Sequence, residues 1–515
     1  MLLLLFLVFL ALWLLLLIYR TDRRPSALPS PGPCLPFLGH LPQLITGGGL
    51  TDPVNRLWKL YRQHSKKGIL RVRAFTIEQV FIGDFATIKE VFNHPDVQAR
   101  AFTQITDLLR ENRGVSAPSP LPGLIVSSGE PWLHQRRFTL RALKDFGFGK
   151  ASMENMISAE VAQFSELLRT FQGRPVDLTD KFALPLINIL WRLVAGEQFE
   201  YGSPKMEKLL TKITHLFQME NSLEDTMMMA FPWMNRIPPL RWFLKRQEHV
   251  ETYKFLLDMM RTSIEEHEQS LDTDSPRDFI DVVLKEIQET LDPSSNFYGE
   301  TGKNNLANIL IDLFLAGGET SSTTLAWATL YMVRHPEVQE KVQQELDQVV
   351  GRSNLPGLED RPRLPYTEAT IMEIQRMANI APQGIQHVTT KDVTINGFTI
   401  PADTVVSGLF TELLKGSHWG DGTTFRPSRF LGSNGVLLSK DPHFVPFSLG
   451  RRQCLGEGLA KAELFLFFSS LLHQFTLRPE VEGQPPSEDY CPGLTVLPKV
   501  FHVVLTSRDS ADILS

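Results

Sequence analysis

One cysteine lies in a short segment that is rich in glycine and arginine. The segment reads FSLGRRQCLG, and Cys454 is one of only three cysteines in 515 residues. A cysteine can be a buried apolar side chain, a nucleophile or a metal ligand, and the first role is the most common. Gly450 and Gly456 would allow a tight turn and close approach of a flat partner. A helix predicted from near Leu455, together with the cation of Arg452, would favour a thiolate at Cys454.

The surroundings of Cys454 favour a metal ligand over a nucleophile. A metal held by one protein ligand needs its other ligands from a cofactor, and heme supplies them. A nucleophilic cysteine would need a histidine base and an oxyanion site, and no cysteine-hydrolase signature surrounds this residue.

The same segment resembles the heme-binding signature of the cytochrome P-450 family. Every fixed position of that signature is matched, by Phe447, Gly450, Arg452, Cys454 and Gly456. The resemblance implies that Cys454 is the proximal thiolate ligand of heme b and directs electron density onto the iron. It also implies that Phe447 packs beside the sulfur and that Arg452 reaches a heme propionate.

A second polar cluster interrupts a long apolar helix predicted over residues 304–335. Residues 316–321 read AGGETS, and glycines and an acid are costly inside an apolar helix. A kink with a satisfied polar pair is one explanation. The cluster also resembles the distal-helix motif of the same family, in which Glu319 and Thr320 would be an acid–alcohol pair that delivers protons. Gly317 would leave the space that this chemistry needs.

Further residues would bind the heme propionates by the same resemblance. Trp132 and Arg136 share one face of a predicted helix, as a packed tryptophan beside a surface arginine often does. The family's C helix carries the same pair, and an arginine is well matched to a carboxylate. His387 and Arg100 align with two more propionate partners, and a solvated surface arginine is the alternative at Arg100.

Glu373 and Arg376 are one helical turn apart, as in an ordinary surface ion pair. The family has the same pair in its K helix, where an arginine from a later Pro-x-Arg-Phe segment joins it. The segment FRPSRF supplies that arginine here as Arg429, although Ser428 stands where the family usually has glutamate. We therefore expect a structural network of Glu373, Arg376 and Arg429.

The rest of the chain predicts a mainly α protein with small β-sheets, and the resemblance implies the cytochrome P-450 fold. Hydrophobic residues make up 43% and charged residues 21% of the chain, which is typical of a large globular core. The net charge of -6 gives no overall attraction to nucleic acid, and we expect no nucleic-acid partner. The odd number of distant cysteines argues against a disulfide scaffold and indicates a reducing compartment.

The N-terminus predicts a single transmembrane helix that is retained as an anchor. Residues 2–18 are uninterrupted apolar sequence, at the short end of what spans a bilayer. Arg20, Arg23 and Arg24 follow, so the positive-inside rule places the rest of the chain in the cytoplasm. A cleaved signal peptide would have a basic segment before the apolar run and small residues at its end, and neither is present.

We predict three parts of the chain. Residues 1–20 form a membrane signal-anchor, residues 21–40 a stiff proline-rich hinge, and residues 41–515 a heme-thiolate catalytic domain. The resemblance to microsomal family members implies an endoplasmic reticulum membrane location with the catalytic domain facing the cytoplasm.

The resemblance extends over nearly the whole chain and is strongest to the animal drug- and steroid-hydroxylating branch, family 2. It implies a monooxygenase that inserts one atom of O2 into a steroid, isoprenoid, fatty acid or xenobiotic. Electrons would come from NADPH through NADPH–cytochrome P-450 reductase, with cytochrome b5 as an optional second donor. A peroxide-rearranging isomerase and a non-catalytic heme sensor or carrier are the alternatives, and Glu319 and Thr320 favour the monooxygenase.

Two surfaces are candidates for partner binding. Arg137, Arg141 and Lys144 fall at i, i+4 and i+7 of a predicted helix, either as a solvated face or as a docking stripe for an acidic reductase. The loop Phe231–Phe243 places apolar side chains outside any predicted core helix. We interpret this loop as a second contact with membrane lipid, and an internal joint is the alternative.

Overall fold

The structure is a computed structural model of the 515-residue chain. It describes residues 28–49, 51–100, 121–145, 151–219, 226–227, 230–231, 233–234, 237, 246–439 and 441–508. The predicted anchor, residues 1–20, lies outside these ranges. Within them, no helix combines the length and the apolar character needed to cross a bilayer.

Helices make up most of the described chain, as the sequence predicts. The helices up to residue 289 are α1 (Leu41–Ile45), α2 (Pro53–His64), α3 (Phe85–Asn93), α4 (Gly129–Asp145), α5 (Ala151–Arg169), α6 (Ala183–Ala195), α7 (Pro204–Met219), α8 (Arg246–Gln269) and α9 (Phe279–Glu289). The later helices are α10 (Gly299–Arg334), α11 (Pro336–Val349), α12 (Pro365–Ala378), α13 (Phe410–Lys415) and α14 (Glu457–Gln474).

The strands are short and form small sheets. They are β1 (Ile69–Ala74), β2 (Ile77–Ile82), β3 (Ala99–Arg100), β4 (Pro175–Asp177), β5 (His387–Val388), β6 (Val393–Ile395), β7 (Phe398–Ile400), β8 (Val405–Gly408), β9 (Phe475–Pro479), β10 (Tyr490–Cys491), β11 (Leu497–Pro498) and β12 (His502–Ser507). The largest sheet has the order β1-β2-β8-β5-β3, with β2 and β8 parallel and the other pairs antiparallel. Strands β4, β12 and β9 form a second sheet, and β10–β11 and β6–β7 are separate pairs.

The five-stranded sheet places two predicted site residues side by side. Arg100 on β3 pairs in register with His387 on β5, although the two residues are far apart in sequence. The sheet therefore brings both predicted propionate partners to one edge.

The alternating sequence of residues 393–406, with Asn396 and Gly397 inside it, predicts a small hairpin, which is present but shorter than expected. Both residues have positive φ, 51° and 80°, as a tight two-residue turn between β6 and β7 requires. Val405 and Val406, which we had expected to extend this hairpin, belong instead to β8 of the five-stranded sheet.

The proline-rich segment is attached to the catalytic domain over the part that is described. The Pro29 carbonyl accepts a hydrogen bond from the Arg71 backbone N–H at 2.7 Å, and the His40 N–H donates to the Arg73 carbonyl at 2.6 Å. Leu28 is buried in the apolar cluster behind the five-stranded sheet. Residues 28–40 therefore pack along β1.

The long helix α10 is the centre of the helical core. It packs against α6, α8, α9, α12 and α14, and most of its middle is buried. No proline occurs within it, and Pro336 begins the next helix immediately after its end. Its buried hydroxyls donate to carbonyls one turn earlier, as Ser322 does to Gly318 at 2.7 Å and Thr329 to Leu325 at 3.0 Å. Several polar side chains are thus satisfied inside a largely apolar helix, but the buried Thr323 hydroxyl has no hydrogen-bond partner among the described residues.

A buried carboxyl group, Glu463, joins α10 to α14. The Glu463 side chain is fully enclosed, and the Ser321 hydroxyl donates to its Oε2 at 2.8 Å. Burial raises the pKa of Glu463 to about 8, more than the Ser321 hydrogen bond lowers it. Glu463 is therefore mainly protonated at neutral pH in the folded protein.

We expect Glu463→Gln to stabilise the protein at neutral pH. The unfolded chain releases this proton near pH 4.5, whereas the folded protein keeps it up to about pH 8. The free energy of unfolding of the native protein therefore falls as pH rises between these values. The free energy of unfolding of the variant does not fall in this way, because glutamine does not titrate. The gain at pH 7 is on the order of 3 kcal/mol. Thermal unfolding of the holoprotein between pH 5 and pH 9 measures it.

The control for this experiment is Glu289→Gln, which changes an exposed glutamate at the end of α9. It should leave the pH dependence of the unfolding midpoint unchanged. A wild-type midpoint that is flat between pH 5 and pH 8 would show that Glu463 is not protonated in the folded state.

Candidate active site

A tight loop presents Cys454 just before helix α14. The Cys454 N–H donates to the Phe447 carbonyl at 3.0 Å and closes the loop. Gly450 has φ of 80°, and a Cβ there would lie 2.4 Å from the Phe92 carbonyl oxygen, so this position requires glycine. Gly456 has an ordinary φ of −85°, and a Cβ there would meet only the Cys454 sulfur, at 3.9 Å. The tight turn that we predicted for both glycines thus depends on Gly450.

The environment of the Cys454 thiol differs from the prediction. The thiol is accessible, but enough protein surrounds it to raise its pKa by burial. The Gly456 N–H, the Glu457 N–H and the cation of Arg136 favour the thiolate, while the Glu457 carboxylate opposes it. The cation that acts on the sulfur is Arg136, not Arg452 as predicted. Without a metal the thiol keeps its proton, and metal coordination would displace it.

Arg452 is buried and turned toward the segment that precedes α4. Its guanidinium carbon lies 3.6 Å from the centre of the Trp132 ring. The same group donates to the carbonyls of Gln98 at 2.8 Å, Ser127 at 2.7 Å and Leu124 at 3.3 Å. Burial, followed by repulsion from two other arginines, lowers the pKa of Arg452 to about 8. The hydrogen-bonding capacity of this arginine is thus used, but its charge is not neutralised.

Arg100 has the same character. It donates to the carbonyls of Ile385 at 2.8 Å and Ile125 at 3.1 Å, so it is not the solvated surface arginine that was the alternative. Burial, followed by repulsion from Arg136, lowers the pKa of Arg100 to about 9.

His387 lies on β5 beside Arg100 of β3, and its side chain is buried and neutral. One face of its ring stacks on Phe92 with centroids 4.3 Å apart. Its Nδ1 lies 2.7 Å from the Val97 carbonyl, so the neutral ring carries its proton on Nδ1 and donates there. Burial, and then the charge of Arg100, hold the pKa of His387 well below its ordinary value.

These residues form a cationic cluster that is buried at Arg452 and partly buried at Arg100 and Arg136. Arg100, Arg136 and Arg452 have no acidic partner among the residues that the structure describes. The Trp132 Nε1, which is buried at the centre of the cluster, has no hydrogen-bond partner there. Unpaired buried cations and a buried donor without an acceptor are both costly. A ligand with carboxylate groups would satisfy them, so the cluster fits heme b and its two propionates.

The structure does not join the predicted acid–alcohol pair by a hydrogen bond. Thr320 is partly accessible on α10, and its hydroxyl donates to the Ala316 carbonyl at 2.8 Å. Glu319 is buried, and its Oε2 accepts from the Thr214 hydroxyl on α7 at 3.1 Å. Burial raises the pKa of Glu319 more than the nearby hydroxyl groups lower it. The Glu319 Oε1 has no partner in hydrogen-bond geometry within the described part of the chain.

The role predicted for Gly317 is wrong. A Cβ at Gly317 would lie 2.8 Å from Leu190, and one at Gly318 would lie 2.6 Å from Ile187. Both of these neighbours are on α6, so the two glycines allow α6 and α10 to pack closely. The space beside Gly317 is filled by protein, and helix α10 is continuous through this region.

The predicted network around Glu373 is confirmed. Arg376, which is completely buried, binds both Glu373 oxygens at 2.7 and 2.8 Å, and the Arg429 Nε lies 3.0 Å from each of them. Asp421, which was not predicted, pairs with Arg429 at 2.9 Å. Hydrogen bonds from Arg426 and Arg429 hold the pKa of Asp421 far below its ordinary value. Asp421 thus adds a second carboxylate to this network, although Ser428 stands where the family usually has glutamate.

Asp312 is a site residue that the sequence reasoning missed. Its Oδ2 accepts hydrogen bonds from the backbone N–H groups of Leu124 at 2.5 Å and Ile125 at 2.9 Å. The carbonyls of the same two residues accept from Arg452 and Arg100. Asp312 thereby positions the segment that the cationic cluster also holds. A lone carboxylate within the apolar run NILIDLFLAG was the available signal.

The mainly helical fold, the cysteine loop and the uncompensated cations define a heme-thiolate protein. Residues 29–505 match the family model for cytochrome P450. The chain belongs to the cytochrome P450 family, so it is a monooxygenase of that family and binds heme b.

Curated relatives match this chain over almost its whole length. Cytochrome P450 2B19 of Mus musculus is 35% identical over 96% of this chain and 97% of its own length. Cytochrome P450 2J2 of Homo sapiens is 36% identical, over 92% and 90% respectively. Farnesoate epoxidase of Bombyx mori is 32% identical, over 96% and 97%. The predicted membership of family 2 agrees with the first two relatives.

We expect Trp132→Phe to weaken heme retention while leaving the fold intact. The variant keeps the aromatic ring under Arg452 but removes the buried N–H that has no protein acceptor. A hydrogen bond to a charged group contributes about 1.5–3 kcal/mol, so heme should transfer to apomyoglobin roughly tenfold faster or more. Absorbance of the heme band during transfer measures the rate.

The matched control is Trp327→Phe, because the Trp327 Nε1 already donates to the Val496 carbonyl at 2.8 Å. It should lower the unfolding midpoint but change the heme transfer rate little. Equal transfer rates in wild type and Trp132→Phe would mean that the Trp132 indole does not bind the cofactor.

Proposed function

We propose that this chain is a heme-thiolate monooxygenase of lipophilic substrates, acting at the endoplasmic reticulum membrane with electrons from NADPH. The observation that carries the proposal is the buried cationic cluster around Trp132, which has no described counter-ion, combined with the accessible thiol of Cys454. Heme bound there supplies the activation of O2 and the transfer of one oxygen atom.

Cys454 would ligate the iron, and the cationic cluster would hold the two propionates. Arg452, Arg136 and Trp132 are the central members, with Arg100 and His387 at the sheet edge. Phe447 lies in the same loop, where Lys461 stands 5.6 Å over its ring. This supports a fixed position for Phe447 beside the sulfur. Arg136 also donates to the Gln453 carbonyl, which links α4 directly to the cysteine loop.

Thr320 and Glu319 would deliver protons in this reaction. The Thr320 hydroxyl donates a hydrogen bond to the Ala316 carbonyl. Its oxygen can therefore accept a hydrogen bond from a water molecule and hold that water in place. The raised pKa of Glu319 favours the protonated form, and the unpartnered Oε1 leaves room for a water contact. The two side chains would act through water, since no direct hydrogen bond joins them.

The accessible face of α10 supports a lipophilic substrate. Leu313, Ala316 and Thr320 lie on one side of the helix, at i, i+3 and i+7, and each has accessible surface. The relative from Bombyx mori is named as a farnesoate epoxidase, and epoxidation adds one oxygen atom across a double bond. A steroid, isoprenoid, fatty acid or xenobiotic would suit this face.

The basic stripe on α4 would dock NADPH–cytochrome P450 reductase and, as a second donor, cytochrome b5. Arg137, Arg141 and Lys144 are exposed, and none of them has an ion-pair partner within the described ranges. The same helix carries Trp132 and Arg136, so an acidic protein bound to the stripe would lie close to the heme-ligand loop.

The function is tested by reconstituting the purified chain with reductase and lipid. The reduced protein should bind carbon monoxide with the red-shifted heme band of thiolate ligation, and oxidation of a lipophilic substrate should require both NADPH and O2. Turnover of a peroxide without either would indicate an isomerase. Heme binding without turnover of a broad substrate panel would indicate a sensor or carrier.

In the same system, charge reversal of Arg137, Arg141 and Lys144 to glutamate should slow electron transfer from flavin to heme by roughly tenfold at low salt, because electrostatic steering is lost. The difference should shrink at high salt. Stopped-flow reduction under carbon monoxide measures the rate. Reversal of the exposed cations Lys59, Lys66 and Lys254 on other elements is the control. Equal rates for the stripe variant and this control would contradict the docking proposal.

An exposed aromatic surface supports a second membrane contact. Phe37, within the predicted proline-rich hinge, stacks on Phe231 with centroids 5.5 Å apart, and Phe231 also contacts Phe75 at 5.3 Å. Phe37 is 52% exposed and Trp233 is 56% exposed, although both are large and apolar. The described part of the loop therefore continues an apolar surface that includes Phe37 of the predicted hinge, which favours lipid contact over an internal joint.

A truncated chain lacking residues 1–24 should still bind liposomes. Replacing Trp233 and Ile237 by serine should lower the bound fraction several-fold, because less apolar surface enters the lipid. Co-sedimentation with phospholipid vesicles measures binding. Serine at Leu291 and Val500, exposed apolar residues elsewhere, is the matched control. A truncated protein that stays in the supernatant would refute a second membrane contact.

A further inference from the structure

Two histidines and an aspartate converge on the surface outside the active site. His418 lies in the 3₁₀ turn Ser417–Trp419, and Asp441 and His443 lie in the segment that leads into the cysteine loop. The His418 Nε2 is 2.9 Å from the Asp441 Oδ2, and the His443 Nδ1 is 3.4 Å from the Asp441 Oδ1. All three ligand atoms lie within 4.8 Å of one another.

One nitrogen of this group lacks a hydrogen-bond partner. The His443 Nδ1 is buried and makes no hydrogen bond within the described chain, since its approach to Asp441 lacks the required geometry. A buried nitrogen left in this way costs free energy. The Asp441 Oδ1 beside it accepts from the His443 backbone N–H at 2.8 Å, which fixes the carboxylate against the ring.

The spacing of these atoms is close to that of a tetrahedral metal site. Zinc binds imidazole nitrogen and carboxylate oxygen at about 2.0–2.1 Å, so adjacent ligand atoms are about 3.3 Å apart. The two imidazole nitrogens lie 2.9 and 3.4 Å from Asp441, on either side of this value, and each faces a different oxygen of the carboxylate. The two imidazole rings are stacked, with centroids 3.6 Å apart, so one ring must rotate for both lone pairs to reach one ion. His418 is the more exposed ring and hydrogen-bonds only to Asp441, so it can make this rotation.

We propose that His418, Asp441 and His443 bind one divalent zinc ion, with water completing the coordination. Two imidazoles and a carboxylate match the ligand preference of zinc, and zinc adds no redox chemistry. The ligands come from two segments, 417–419 and 441–443, between which the described chain forms no backbone hydrogen bond, so the ion would cross-link them.

The ion would connect the arginine network to the heme-ligand loop. His418 precedes Trp419, whose ring lies 5.3 Å from the Arg376 guanidinium. His443 precedes Phe444, which is buried against Phe430 with centroids 5.2 Å apart. A cross-link at this point would restrict movement of the segment that ends at Cys454.

The test uses the full-length holoprotein after treatment with a chelator that leaves heme in place. Zinc is added in competition with a chromophoric chelator, and one equivalent should bind to the wild-type protein. His443→Ala and Asp441→Asn should each weaken zinc binding by at least about tenfold. His134→Ala, which removes an exposed histidine on α4, is the control and should bind zinc as the wild type does.

A second measurement is independent of catalysis. Zinc should raise the thermal unfolding midpoint of the wild-type holoprotein but not that of Asp441→Asn, a variant of nearly unchanged shape. The carbon monoxide spectrum checks that each variant still holds heme. Zinc binding that is equal in the wild type and both ligand variants, or no bound equivalent at micromolar zinc, would overturn the proposal whatever the enzyme oxidises.

Discussion

Positive charge that is enclosed by protein and has no counter-ion among the described residues is the constraint that shapes this molecule. Arg100, Arg136 and Arg452 come from three separate segments, and each of them donates a hydrogen bond to a backbone carbonyl. Carbonyls do not remove the charge, and a buried unpaired cation costs several kcal/mol. An anionic ligand such as heme with its propionates would offset this cost, so we expect heme binding and folding stability to be linked.

In the network around Glu373, by contrast, acidic side chains neutralise the charge of the buried arginines. Arg376 is as deeply buried as any residue in the protein, yet Glu373 neutralises it, and the adjacent Arg429 is paired with both Glu373 and Asp421. This cluster needs no ligand and holds the segments before the cysteine loop. The two arginine clusters differ in whether the chain itself provides the acid, and that difference separates a structural network from a binding site.

Much of this arrangement could be predicted because it depends on local sequence. The cysteine segment and the Glu373–Arg376 pair have fixed spacings, and the helices follow from apolar periodicity and from proline positions. The predictions that were wrong concern the direction in which a residue faces and the identity of its neighbours. Gly317 faces Leu190 on α6, and Arg136 instead of Arg452 acts on the thiol. Neither fact is contained in the spacing of residues along one segment.

The sequence by itself determined the protein family, the mainly helical fold and the segment that carries Cys454, because short motifs and periodicity encode them locally. Only the tertiary structure decided that Trp132 Nε1 has no hydrogen-bond partner among the described residues and that Asp312 accepts from the Leu124 N–H. It also decided that Glu463 is buried against Ser321 and that His418 meets Asp441 and His443. These facts depend on packing between segments distant in the chain, since burial and the identity of neighbours set both charge state and hydrogen bonding.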